Sequence, residues 1–219
     1  MISPSDLWLQ LKALGRGARL VPFYKAVCVY FVAGGGAPSP SAAALKCAPV
    51  LCLLLCVLLA TGGAGGYARR VCAGLALSAL GDALLVWPQH FVAGMAAFAA
   101  AHVAYLCAFG LRPRRARLGA ALLGGALLYA WLVRAPGALR PLVAAYALLL
   151  SAMAWRGAAR PGAQRAGALL FLLSDAILGY SLFAGPVPHA QVLVMSTYYL
   201  GQLGIALSAL EPRALHARR

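Results

Sequence analysis

About eight runs of mostly apolar residues, joined by short basic or Gly/Pro-rich segments, occupy almost all of this 219-residue chain. A helix that crosses a bilayer needs roughly 20 such residues. Inside the hydrocarbon, only helices and closed barrels satisfy their own backbone. The spacing predicts spans near 20–36, 43–61, 69–87, 91–111, 118–133, 138–155, 166–184 and 190–210. Charged residues make up 11% of the chain, whereas a soluble domain carries about 25%. That leaves too little polar surface to cover a water-soluble globule. The chain therefore reads as all-α, a polytopic transmembrane helical bundle forming a single domain over residues 1–219. Pro22 and Lys25 interrupt the first span, and the fifth is short, with Arg117 and Arg134 placed to snorkel to its two ends.

The formal net charge of +15 raises the question of nucleic acid. Nucleic-acid binders gather Lys and Arg along one face, often interleaved with aromatic residues. Here the basic residues sit almost entirely in the joints between apolar runs, so no nucleic-acid partner is expected. With eight spans, 16 of the 19 Lys and Arg residues fall on the side shared by the two termini, leaving Lys46, Arg134 and Arg140 opposite. Positive residues mark the cytoplasmic side, so both termini are expected there. The six cysteines lie in or beside apolar segments without a CxxC pair and read as small buried hydrophobes. The first residues lack the pattern of a cleaved signal peptide.

The protein has four carboxylates: Asp6, Asp82, Asp175 and Glu211. Asp6 and Glu211 lie near the polar ends, but Asp82 and Asp175 fall inside apolar spans, where an acid costs roughly 2.5–3.5 kcal/mol on insertion scales. They also sit in a weak internal repeat. Residues 77–85 resemble 170–178, and each copy is followed by an uncharged joint containing Pro and His. Four spans separate the copies, so the two helices run parallel, and repeats of this kind commonly enclose a site. Counted from Arg70 and Arg165, the acids lie 12 and 10 residues along their helices, roughly 15–18 Å deep. A shared cavity is the expected consequence. Two carboxyls in one such cavity favour a state with one protonated and one ionised, the condition for an acid/base pair.

Several polar residues are spaced to meet them. Phe98, His102 and Tyr105 share one face of the fourth span, and Tyr198, Tyr199 and Gln202 cluster in the eighth. They either line a polar cavity or bond helices together. Lys46, opening the second span ahead of Pro49, has three uses open to it: snorkelling, meeting an anionic headgroup, or pairing with Asp82. His90 and His189 fall in joints and are expected to be solvated. No GxSxG, HExxH, P-loop or dinucleotide fingerprint occurs, and four scattered histidines supply a zinc site poorly. On these residues alone three functions stay open: acid/base catalysis, a proton-coupled secondary transporter, and a lipid-binding scaffold.

The same residues resemble the lysoplasmalogenase family of integral membrane proteins, also called YhhN-like, in its vertebrate form. The resemblance rests on Lys46 with Pro49; on Gly81-Asp82 followed by Phe91, Gly94, Phe98, His102 and Tyr105; and on Ser174-Asp175 and Tyr198-Tyr199 with Gln202. It covers residues 40–210. Many members have Lys and Pro adjacent, whereas this chain has Lys46-Cys47-Ala48-Pro49. The resemblance implies an eight-helix enzyme that hydrolyses the vinyl ether bond of lysoplasmalogens, releasing a fatty aldehyde and glycerophosphocholine or glycerophosphoethanolamine. It implies no metal or organic cofactor and a place in the endoplasmic reticulum membrane. Asp82 and Asp175 would be the acid/base pair. Lys46, His102, Tyr105, Tyr198, Tyr199 and Gln202 would bind or orient the lysophospholipid and water.

Overall fold

A computed structural model describes residues 4–33 and 36–211, with side chains from residue 17 onward. The described residues form eight α-helices and no strand: α1 (Pro4–Ala33), α2 (Pro40–Thr61), α3 (Gly66–Leu84), α4 (Phe91–Phe109), α5 (Ala116–Leu132), α6 (Leu139–Ala158), α7 (Ala163–Phe183) and α8 (Ala190–Leu210). One 3₁₀ turn, Pro88–His90, leads into α4. Five of these segments are long and apolar enough to cross a membrane: Pro40–Thr61, Pro88–Phe109, Leu139–Ala158, Ala163–Phe183 and Ala190–Leu210. Outward-facing Leu55, Leu59, Leu128, Trp131, Leu173 and Leu200 are exposed, which suits a lipid-facing surface and no other.

Several boundaries differ from the sequence expectation by about three residues or more, those of the first three helices with a visible local cause. The first helix begins at Pro4 and ends at Ala33, so Pro22 does not interrupt it; membrane helices tolerate proline because its local backbone can be re-satisfied. The expected end of that span at residue 36 runs through positions 34 and 35, outside the described residues. The second helix starts early because Ser39 caps it, accepting from Ala42 N–H at 3.1 Å, with Pro40 in its first turn. The third stops at Leu84 rather than residue 87, since the turn toward Pro88 takes Val86 and Trp87. All six cysteines are free.

The packing repeats across the two halves of the chain. Within each half, consecutive helices pack in order: α1 on α2, α2 on α3 and α3 on α4; then α5 on α6, α6 on α7 and α7 on α8. The halves then cross over, α8 meeting α2 as α4 meets α6. Exchanging each helix with the one four places later maps every one of these contacts onto another. Close approach within the tightest pairs depends on glycine. A Cβ on Gly81 would lie 2.6 Å from the Phe98 ring, and one on Gly167 would lie 2.6 Å from the Ile205 backbone nitrogen. The core between the halves is aromatic, with Phe171 edge-on to Phe98, His102 and Tyr198.

Candidate active site

Asp82 and Asp175 stand on the matching helices α3 and α7, and both line one cavity of about 300 Å³. Its other walls are almost wholly apolar, drawn chiefly from α5, α6 and α7 with Phe91, Met95 and Phe98 of α4. Small residues of α5, Ala121, Gly125 and Ala126, leave space opposite Asp175, and Tyr129 closes that side by donating to Ala176 O at 2.7 Å.

Asp82 is 1% exposed. The Tyr198 hydroxyl donates to its Oδ2 at 2.6 Å, and Lys46 Nζ lies 3.8 Å from Oδ1. Asp82 falls two residues from the end of α3, where the negative end of the helix dipole opposes a carboxylate. The Lys46 ammonium offsets that, one of the three uses open to Lys46 from the sequence. A buried charge needs such a partner.

Asp175 is held differently. The Tyr146 hydroxyl donates to its Oδ2 at 2.5 Å, and His102 Nε2 lies 3.0 Å from the same hydroxyl and 3.6 Å from Oδ2. A hydroxyl has one hydrogen. With that hydrogen given to Asp175, Tyr146 accepts from His102, which places the ring proton on Nε2 and leaves buried Nδ1 without a partner. The result is a directed chain, His102 to Tyr146 to Asp175.

The two environments obey the same exchange as the helices. Asp82 on α3 is served by Lys46 of α2 and Tyr198 of α8; Asp175 on α7 is served by Tyr146 of α6 and His102 of α4. The helix contacts correspond between the halves while the chemistry differs, with a cation beside one acid and an imidazole–phenol chain beside the other.

The remaining expected site residues lie apart from the cavity wall. Tyr105 donates to Gln202 Oε1 at 2.7 Å, and both are fully buried. Tyr199 donates to the Lys46 carbonyl oxygen at 2.9 Å, tying α8 to α2. His102 is likewise fully buried and reaches Asp175 chiefly through Tyr146. His90 and His189 are exposed, as expected. Sequence reading missed Tyr146, a lone tyrosine in a run of Ala and Leu. The signal was a hydroxyl within a membrane span, which needs a partner, but nothing local said which.

Residues 41–209 match the YhhN family. The chain belongs to the YhhN family. Among its curated relatives, lysoplasmalogenase TMEM86B of Sus scrofa is 46% identical over 196 residues, 88% of this chain and 86% of the relative. The Homo sapiens lysoplasmalogenase TMEM86B is also 46% identical, covering 87% and 86%. The Homo sapiens lysoplasmalogenase TMEM86A is 42% identical over 90% of each chain. No solved structure matches this YhhN-family chain.

Proposed function

We propose that this chain is a lysoplasmalogenase, hydrolysing the vinyl ether bond of a lysophospholipid. The observation that carries the reading is the pair of intramembrane acids, Asp82 and Asp175, on the wall of one cavity in a chain 46% identical to proteins named for that activity. The cavity volume is at the low end for small-molecule sites. It suits the vinyl ether and the nearest part of its alkyl chain, with the rest leaving between helices toward lipid.

The chemistry asks for one proton and one water. A protonated carboxyl delivers its proton to the vinyl carbon β to oxygen, forming an oxocarbenium ion on the α carbon. The ionised partner stabilises that cation and takes a proton from the attacking water. The carboxyl that took the water proton gives it to the glycerol oxygen as the hemiacetal C–O bond breaks, and the hemiacetal hydroxyl proton passes to the other carboxylate. Both acids return to their starting states, with a fatty aldehyde and the glycerophospho-alcohol as products. Paired carboxyls serve a comparable oxocarbenium-like transition state in glycoside hydrolysis. Asp82 and Asp175 are the pair. Tyr198 orients Asp82; Tyr146, backed by His102, orients Asp175; and Lys46, on the cavity wall, suits the substrate phosphate. Tyr105, Tyr199 and Gln202 support these groups from behind.

Purified protein given a lysoplasmalogen should release aldehyde without added metal. Uptake of the lipid into reconstituted vesicles with no aldehyde formed would favour the proton-coupled carrier reading instead. The endoplasmic reticulum membrane, with both termini cytoplasmic, is the proposed location. Three of the joints rich in arginine meet at one end of the bundle, where Arg70 Nη1 donates to Cys107 O and Arg156 Nε to Gly110 O. This grouping supports one basic face.

A further inference from the structure

At that basic end, two guanidinium groups stand out from the other arginines. Arg156 is 3% exposed. Its Nε donates to Gly110 O at 2.8 Å, its Nη1 points to Arg114 O at 3.4 Å, and its guanidinium lies 5.1 Å from the Trp155 ring. Its Nη2 is buried with no hydrogen-bond partner. Arg160, four residues on, donates from Nη2 to Arg112 O at 3.2 Å, and its Nε is also buried and unpartnered.

Clasping the α4–α5 joint explains the bonded nitrogens but not the free ones. The C-terminal end of α6 favours cations through its dipole, yet a dipole supplies no acceptor for these N–H groups. Among the described residues no carboxylate pairs with either guanidinium; the ion pairs there are Lys46–Asp82 and His102–Asp175. Both of those acids are engaged in the cavity. Glu211, near Gly162 at the same end, pairs with neither arginine. A buried guanidinium without an anion is expensive, and the N–H groups left free at Arg156 Nη2 and Arg160 Nε are charged donors of the kind that phosphate oxygens accept. Helix ends at a membrane surface also lie at the level of lipid phosphates.

We propose that Arg156 and Arg160, at the end of α6 beside the α4–α5 joint, form a phosphate-binding site separate from the catalytic cavity. The occupant is a phosphate group, carried by an anionic lipid or free in solution.

The test is thermal unfolding of the full-length protein. Inorganic phosphate is titrated against chloride at matched ionic strength in nonionic detergent, and phosphatidylcholine nanodiscs are compared with and without phosphatidic acid. Phosphate or phosphatidic acid should raise the melting temperature of the wild type. Response to phosphatidic acid alone identifies a lipid headgroup, response to inorganic phosphate alone a free anion, and either supports the site. Arg160→Gln, chosen because Arg156→Gln removes the clasp, should weaken the response about tenfold or more in apparent Kd. Arg160→Lys, which keeps the charge but removes the free Nε donor, should weaken it as well. Arg140→Gln, a basic residue outside this cluster at the start of α6, should leave it unchanged, which sets aside general charge effects. No response of the wild type to either probe, or an undiminished response in Arg160→Gln, overturns the proposal.

Discussion

Removing one oxygen from Tyr146 severs both hydrogen bonds that connect His102 to Asp175. The ring still fills its place, so the fold should survive. Tyr146→Phe should therefore lower kcat about a hundredfold, as small misplacements of reacting groups do, with KM little changed; wild-type kcat in this variant would remove Tyr146 from the mechanism. Lys46→Met tests a different role. Loss of the ammonium leaves Asp82 unbalanced in a buried site and removes the cation proposed for the substrate phosphate, so KM should rise and thermal stability should fall together. An unchanged KM would assign Lys46 to Asp82 alone. The two aspartates, which line one cavity, stand out in the sequence as a candidate site because acids are costly in hydrocarbon. Their partners were legible only in part: His102 and Tyr198 stand out as polar groups in apolar spans, whereas tyrosine among alanines, as at Tyr146, signals little until the fold brings it to Asp175.

Among the elements, the α3–α4 and α7–α8 hairpins are the units that place the acids, and both depend on glycine at the contact. Gly167 faces the α8 backbone closely enough that a side chain has no rotamer into which to move. Gly167→Val should force α7 and α8 apart at a cost of about 1–3 kcal/mol, read as a lower melting temperature in detergent. A wild-type melting temperature would mean the helices are less tightly held than the geometry requires. Helix number and order follow from hydropathy, since each run must span or pack. Ends were harder. Capping at Ser39 extended α2, and the turn before Pro88 shortened α3, because local hydrogen bonds, not hydropathy, decide where a helix stops. The sequence repeat is visible only around the two aspartates; the link between Lys46 and Tyr146 is hidden because they share corresponding helices, α2 and α6, and neither register nor chemistry.

For the whole molecule, the proposed topology of eight crossings would put both termini on one side, with the joints at 88–90 and 185–189 opposite them. Glycosylation sites introduced into those joints should be modified while tags at the termini are not. Modification of neither joint, with both accessible from the cytosol, would contradict the topology. The correspondence between the halves also describes how two acids far from either chain end come to line one cavity: each half contributes one, and α8 packs on α2 as α4 packs on α6. The most direct measurement is aldehyde release from a lysoplasmalogen by purified Asp82→Asn and Asp175→Asn proteins that retain wild-type elution and melting behaviour. Loss of turnover in both, by at least the hundredfold expected of a general acid or base, is the predicted result; full activity in both variants would show that the acids are not the catalytic pair.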